Sequence, residues 1–464
     1  MPMPARAETW RNLALLTVML AFVLDIADST IVNTALPAIQ HELGASNAAA
    51  KWMVAGYFLS FSVFLVAGGR LGDLFGYRRL FMAGVAAFTF ASLGCGLSQS
   101  ASQLVDWRIA QGCAAALMGP QVMAVVQVLF SPTERIAKLA WFGTLGGMAA
   151  VLGPIAGGLL IAANPMGLGW RAVFLINLPI GLIALIAGAR FLPDSRADGA
   201  RGIDMGGTAL LGFGLVALLV PMVQGPELGW PVWTLALLAA VPLVAAVAVS
   251  HARSRGRAGK DRLIEPALFR ERAFALGLSA SVCLSAGVSG FILVFALAVQ
   301  HLLGRSPLDT ALLLAPFGVG VSLGIAFVGR KLLPRLGKWI PFVGATGMAF
   351  LGVSALLILP GAPATPVLAA LLVPTGLCMG MVAGPLTPIA LARVGRTHAG
   401  IASGMLKTAQ QVGGALGAAI VGGAWFAGQG TQSAAVALAV VLAGAALSAL
   451  ALPRNLFGAT GEQA

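Results

Sequence analysis

The chain has 464 residues, of which 58% are hydrophobic and 10% charged, with 60 glycines and a net charge of +13. A soluble globular domain of this size is not so apolar, so the bilayer is the solvent this sequence fits. Its apolar runs are continuous and about twenty residues long, which excludes the short alternating strands of a barrel and implies spanning helices.

Fourteen spans are expected, near 12–37, 48–70, 79–98, 102–129, 137–162, 171–193, 205–225, 231–250, 274–302, 307–330, 340–359, 364–392, 399–426 and 433–452. The fold class is therefore an all-α integral membrane protein. Arg6 and Arg11 precede the first apolar run, which is too long and lacks the small-residue site of a cleaved signal peptide; it reads as an uncleaved span. That span ends in LDIADSTIVNTALP and carries Asp25 and Asp28. A carboxylate at the bilayer centre costs roughly 2.5–3.5 kcal/mol to insert, so acids placed there point to function. At spacing i, i+3 the two share a helix face, turned toward a wet cavity where a proton can bind and leave.

The second span runs into GRLGDLFGYRRL, with Gly69, Asp73, Gly76, Arg78 and Arg79. Asp73, amid Arg70, Arg78 and Arg79, either holds an inner gate by ion pairing or simply adds topogenic charge. In the fourth span, LVDWRIAQG puts Arg108 about six residues inside its outer end, and Asp28 lies about nine inside the outer end of the first span. At ~1.5 Å per residue their depths differ by some 5 Å, so Arg108 is expected to face a carboxylate, as a coupling device or a static ion pair. GPIAGGLL in the fifth span places Gly153, Pro154, Gly157 and Gly158 together. The proline interrupts one backbone bond and the glycines permit close helix approach.

Met205 to Pro226 and Leu228 to Ser250 are free of charge, which decides for fourteen spans over twelve. The basic segment HARSRGRAGKDRLIEP that follows is read as a loop lying on anionic lipid. After the tenth span, GRKLLPRLGKW repeats the Gly-Arg opening of GRLGDLFGYRRL. Two pseudo-symmetric six-helix bundles, 1–194 and 263–464, with two linking helices and a loop in 195–262, are the simplest organisation, and such repeats place a site between the halves. Lys407, in the thirteenth span, reads as snorkelling to the inner surface, with a place in the cavity as the alternative. Gln111, Met118, Phe291, Phe295, Gln300 and Met379 are the remaining candidates to line a cavity, although packing is the default reading for apolar residues at helical spacing in lipid.

With the N-terminus inside, three of the 29 Lys and Arg fall outside (Lys51, Arg171, Arg305), two fall within spans (Arg108, Lys407), and 24 fall inside. A miscounted span would destroy this asymmetry, so both termini are expected in the cytoplasm of a cell-membrane protein. The positive charge thus reports orientation and not a nucleic-acid partner. Trp52, Trp170, Trp230, Trp233 and Trp339 near span ends read as an aromatic belt. Cys95, Cys113, Cys283 and Cys378 sit in apolar segments without metal-ligand spacing, so no metal is expected. GRAGKD lacks the Ser or Thr of a phosphate loop, which argues against ATP-driven pumping, and GVSLG at 320–324 matches a nucleophile elbow only by coincidence within an apolar span.

In this order the motifs resemble the major facilitator superfamily, in its fourteen-helix drug:proton antiporter branch. DSTIVNTALP resembles the branch's first-helix signature with Asp28 at the acidic position, and GRLGDLFGYRR the loop after the second helix, with Leu74 in place of a basic residue. LVDWRIAQG matches the pattern whose arginine, here Arg108, is associated with proton coupling, and GPIAGGLL the fifth-helix antiporter motif, with Ala149 replacing an upstream glycine. WRAVFLINLPIG, VQHLLGRSPLDTALLLAP and HAGIASGMLKTAQQVGGALG resemble branch-typical stretches, although Lys407 replaces the usual Asn and Gln410 the usual Arg. The resemblance implies alternating access and proton-driven export of amphiphilic, cationic small molecules, with Asp28, Asp25 and Arg108 in coupling. No cofactor is implied, and a monomer in the lipid bilayer suffices. The alternatives are an exporter dedicated to one metabolite or antibiotic, and a non-transporting receptor or scaffold.

Overall fold

Hydroxyl, proline and glycine residues cut the apolar runs into helices in a computed structural model that describes residues 5–196, 204–260, 262–263, 265–329, 332–394 and 399–453. The first six spanning helices are α1 (Ala5–Leu43), α2 (Asn47–Phe75), α3 (Tyr77–Gly96), α4 (Ala101–Leu129), α5 (Pro132–Ala163) and α6 (Asn177–Phe191), the last entered through the turns Gly169–Arg171 and Ala172–Leu175. Next come α7 (Met205–Leu228) and α8 (Val232–Arg257). The last six are α9 (Arg272–Leu303), α10 (Pro307–Leu323, continuing as a wider turn over Gly324–Gly329), α11 (Trp339–Ile358), α12 (Thr365–Leu391), α13 (Ala399–Ala424) and α14 (Gly430–Leu450). Among the described residues there is no strand, and 13 helices are long and apolar enough to cross a membrane. The fourteenth is α5, 32 residues long, whose side chains are only partly described.

Local chemistry explains the boundaries. Ser46 and Ser100 accept hydrogen bonds from the amides of Ala49 and Gln103, and Ser131–Glu134 and Ser306–Asp309 form capping boxes. Gly304 ends α9 at φ 60°, a left-handed conformation that glycine adopts without strain. Helix α1 starts before residue 12, and α8 runs to Arg257, so the first part of the expected basic loop is helical. Nothing breaks that helix before Gly256, and its terminal Arg255 and Arg257 complement the helix dipole.

Helices α1–α6 pack mainly on one another, as do α9–α14, and α7 pairs with α8. Tyr57, Phe61, Phe81 and Phe88 fill the core of the first group, and Phe291, Phe295, Phe317 and Met348 that of the second. A third apolar cluster joins them, with Ile31, Val32 and Leu36 of α1 and Met53 of α2 meeting Leu293 and Leu297 of α9 and Val412 and Ala415 of α13. It lies toward the α1–α2 and α9–α10 loops. There α5 also meets α10 so tightly that a Cβ on Gly158 would come within 2.8 Å of the Leu308 Cα and the Pro307 carbonyl oxygen. Gln300 Nε2 donates to the Thr34 carbonyl across the same seam at 3.1 Å. The end carrying these loops is therefore closed.

Two residues assigned to the membrane surface are interior. Trp170 is 1% exposed, folded against Phe174 with the Arg171 guanidinium 4.4 Å from its ring, because the irregular turns before α6 tuck it inward. Lys51, near the start of α2, is 1% exposed and donates to the Val223 carbonyl of α7 at 3.1 Å, so this amine lies between helices.

Candidate functional site

Asp28 lies on an uninterrupted stretch of α1 and is 1% exposed, as is Arg108 of α4. Arg108 Nη1 donates to Asp28 Oδ2 at 2.6 Å, and its Nε to the Met53 carbonyl at 3.0 Å. The other carboxylate oxygen, Oδ1, accepts from Gln111 Nε2 at 2.9 Å and from Asn177 Nδ2 of α6 at 2.7 Å. Both amides also donate to Ser92 Oγ of α3, at 2.8 and 3.2 Å. Four helices thus converge on one carboxylate, satisfied by a cation and two amides. Buried ions persist where their lone pairs and protons are all matched in this way.

Asp25 sits one turn away and accepts the Tyr57 hydroxyl of α2. The Tyr57 ring in turn lies 4.4 Å from the Arg108 guanidinium carbon. The two acids are therefore joined through an aromatic ring stacked on a shared cation, an arrangement favourable when desolvated. Lys407, from α13 in the other half, is close enough for its charge to act on Asp25, as are Asp28 and Arg108.

A cavity of about 290 Å³ lies beside this network, between the halves and beneath the closed end. Ser29, Thr30 and Asn33 of α1 face Ser281, Ser285 and Ser289 of α9 across it. Gln410 and Gln411 of α13, Phe58 of α2 and Met379 of α12 complete the polar and apolar walls. Its volume is near the lower end of the ~300–1,000 Å³ of small-molecule sites. The acids do not line it: Asp25 is 6% exposed, and Asp28 is engaged by its three donors.

Of the residues expected along a cavity, Met379 lies on its wall. Met118, Phe291 and Phe295 are packed in the cores instead, Gln111 belongs to the Asp28 network, and Gln300 ties the closed end. Apolar residues at helical spacing do not report which side faces a void. Lys407 is partly buried; it shares the α13 stripe 407, 410, 411, 414 with the two cavity glutamines but is not itself on the cavity wall. Tyr57, Ser92 and Asn177 were missed. Asn177 carried a signal, as an amide in an otherwise apolar span, whereas a buried serine carries none.

The loop after α2 docks within its own half. Asp73 is 3.6 Å from Arg70 and accepts the Tyr77 hydroxyl at 3.1 Å, while Arg78 donates to the Ala189 carbonyl and Arg79 is exposed. Gly69 packs on Pro120, and Gly76 turns the chain at φ 98°. In α5, Gly153 packs on Ala27 and Thr30 and Gly157 on Ile31, both on α1, and Pro154 is buried between them. Arg330, Lys331 and His398 of the quoted motifs lie outside the described residues.

Two helical groups closed at one end over a cavity with polar and apolar walls, with a sealed charge pair at its side, define a multi-pass membrane transporter. Residues 18–418 match the Major Facilitator Superfamily, and the chain belongs to that family. It is 39% identical over 436 residues to a probable actinorhodin transporter of Streptomyces coelicolor, covering 93% of this chain and 75% of that one. It is 34% identical to a tetracenomycin C resistance and export protein of Streptomyces glaucescens, covering 90% and 76%. A multidrug resistance protein of Mycobacterium tuberculosis is 31% identical, covering 88% and 75%. Among solved structures, the xylose transporter of E. coli, partially occluded and inward open, matches with TM-score 0.63 at 14% identity, over 95% of this chain and 98% of that one. An inward-facing bacterial homologue of the human lysosomal transporter spinster matches with TM-score 0.62 at 17% identity, over 96% and 95%.

Proposed function

We propose that this protein is a proton-coupled exporter of amphiphilic small molecules in the cell membrane, of the fourteen-helix drug:proton antiporter branch, with both termini cytoplasmic. Residues 1–194 and 263–464 act as the two moving halves, and 195–262 supplies the linking pair. The observation that carries this reading is the buried Asp28–Arg108 pair beside a mixed polar and apolar cavity between the halves. While those donors are in place, the lone pairs of the Asp28 carboxylate are engaged by a cation and two amides. A shift of α4 or α6 that withdraws them leaves those lone pairs open to a proton. Coupling the donors' positions to the tilt of the halves makes proton binding alternate with cargo binding. The charge asymmetry of the loops supports the orientation, with the closed end facing outward. The names of the relatives support an antibiotic-like cargo.

An inward proton crossing 100 mV supplies about 2.3 kcal/mol, roughly a fiftyfold cargo gradient. Asp25, sealed by Tyr57 on the same helix, is the second candidate proton site. The test is transport by purified protein in proteoliposomes under an imposed pH gradient. Uphill cargo movement should collapse with the gradient and be absent in Asp28→Asn. Uphill movement by that variant, or none by the wild type across a broad amphiphile panel, refutes the reading.

A further inference from the structure

The last turns of α8 sort their basic side chains onto two faces. On one, His251 and Arg255 meet Asp204 at 2.8 and 3.3 Å, and Ala248 and Ala252 of the same face are buried. The chain beyond α8 then turns back onto α7. The Leu263 amide donates to Asp204 at 3.2 Å, Leu263 is buried, and Arg262 pairs with the buried Glu265. Part of the basic segment expected to lie on lipid is thus engaged in holding itself against the linking pair.

On the opposite face Arg253 and Arg257 stand one turn apart, with Ser250 and Ser254 beside them. All four are exposed, and among the described residues neither guanidinium has an ion pair or hydrogen bond. Along the same face toward the middle of the helix, Ala245, Ala246 and Val249 continue the open groove as an apolar floor. Residues at i and i+4 have Cβ atoms about 5–6 Å apart, so the two planar forks can grip a single phosphate between them.

The depth of these residues fits a lipid headgroup. Trp233, 42% exposed near the start of α8, is placed as an interfacial anchor. Arg253 lies about 30 Å along the helix from it at ~1.5 Å per residue, which is about the thickness of the hydrocarbon core. No charge intervenes between them. Of the 13 spanning helices α8 is the least covered by protein, and it packs mainly on α7, so its bare face meets the bilayer.

We infer that this face of α8 is a binding site for one anionic phospholipid, its phosphodiester held by Arg253 and Arg257 with the Ser250 and Ser254 hydroxyls, and an acyl chain lying along Ala245, Ala246 and Val249. The bound lipid fastens the linking pair to the leaflet at that end. The site is independent of whether, or how, protons drive transport.

The test is native mass spectrometry of the purified full chain in detergent, titrated with phosphatidylglycerol or with phosphatidylcholine of the same acyl chains. Wild type should bind one equivalent of phosphatidylglycerol on the order of tenfold tighter than phosphatidylcholine, as two cations beside one anionic headgroup permit. Arg253→Gln, Arg257→Gln should lose that equivalent and leave phosphatidylcholine binding unchanged. Lys260→Gln, Arg270→Gln removes the same charge from exposed residues of the following segment and should retain it. Absence of selectivity in the wild type, or a tight equivalent that survives in the Arg253, Arg257 variant, overturns the proposal. Equal loss in both double variants means diffuse attraction to the basic surface and also overturns it. Displacement of the lipid by equimolar inorganic phosphate or glycerophosphoglycerol would show a plain anion site with no place for a chain, and overturns it as well.

Discussion

Substituting Asp28 by Asn removes the counter-charge of Arg108 and changes little else in shape. Arg108 is 1% exposed and its Nη1 lies 2.6 Å from the lost charge, so the guanidinium is left buried and unpaired. Breaking one partner of such a pair costs about 3–5 kcal/mol, whereas removing both charges is far cheaper. In the double variant Asp28→Asn, Arg108→Gln, the main loss is the hydrogen bond to the Met53 carbonyl, worth about 1–3 kcal/mol if the carbonyl stays unsatisfied. Stability should therefore rank wild type first, the double variant second and Asp28→Asn last. Cys95 is fully buried beside Gln111, so its labelling by a thiol-reactive dye during a thermal ramp reports opening of this network. A single variant as stable as the double, or more so, would refute the picture of a sealed pair.

Gly158→Val places a branched side chain where a Cβ alone would approach the α10 backbone to 2.8 Å, so closure of that end should be disfavoured. Spin labels at Asn47 and Arg305 should report longer distances than in the otherwise identical parent, and unchanged distances would contradict the contact. Burial alone would raise Asp204, but donation from His251, the Gly207 and Leu263 amides and nearby Arg255 outweighs it and holds the carboxyl below the usual carboxylate range. Its contribution is then fully present above the ordinary value of about 3.9 and is lost only as pH falls further, through the lowered value. Asp204→Asn should remove it at neutral pH, seen as faster tryptic cleavage between Arg253 and Arg262. Asp25→Asn should reduce the number of protons moved per cargo molecule; an unchanged ratio would assign Asp25 to structure.

Charge made most of this legible in sequence. The cost of Asp25, Asp28 and Arg108 in a membrane marked them, and depth counting brought Asp28 and Arg108 to one level. The asymmetry of Lys and Arg and the uncharged stretches around 205–250 fixed the span count. The partners that complete the site were less visible because they are uncharged: Asn177 and Ser92 cost little wherever they sit, and Tyr57 resembles any interfacial aromatic. Lys51 and Trp170 were misjudged for the opposite reason, since residues typical of a membrane surface were buried by neighbours distant in sequence. For Phe291 and Phe295 packing is the default reading, and the contact of Phe317 on α10 with Phe291 places them in a core.

The linking pair has a mechanical consequence. Helix α7 touches both α2 and α13, so it bridges the two helical groups. The Lys51 ammonium ties it to α2 by a buried bond, while Leu215 and Leu219 meet α13 through apolar surface that has no directional preference. One side is riveted and the other is greased. If the bundles tilt as proposed, this helix should travel with the first and slide over the second, keeping acyl chains out of the cleft that would open.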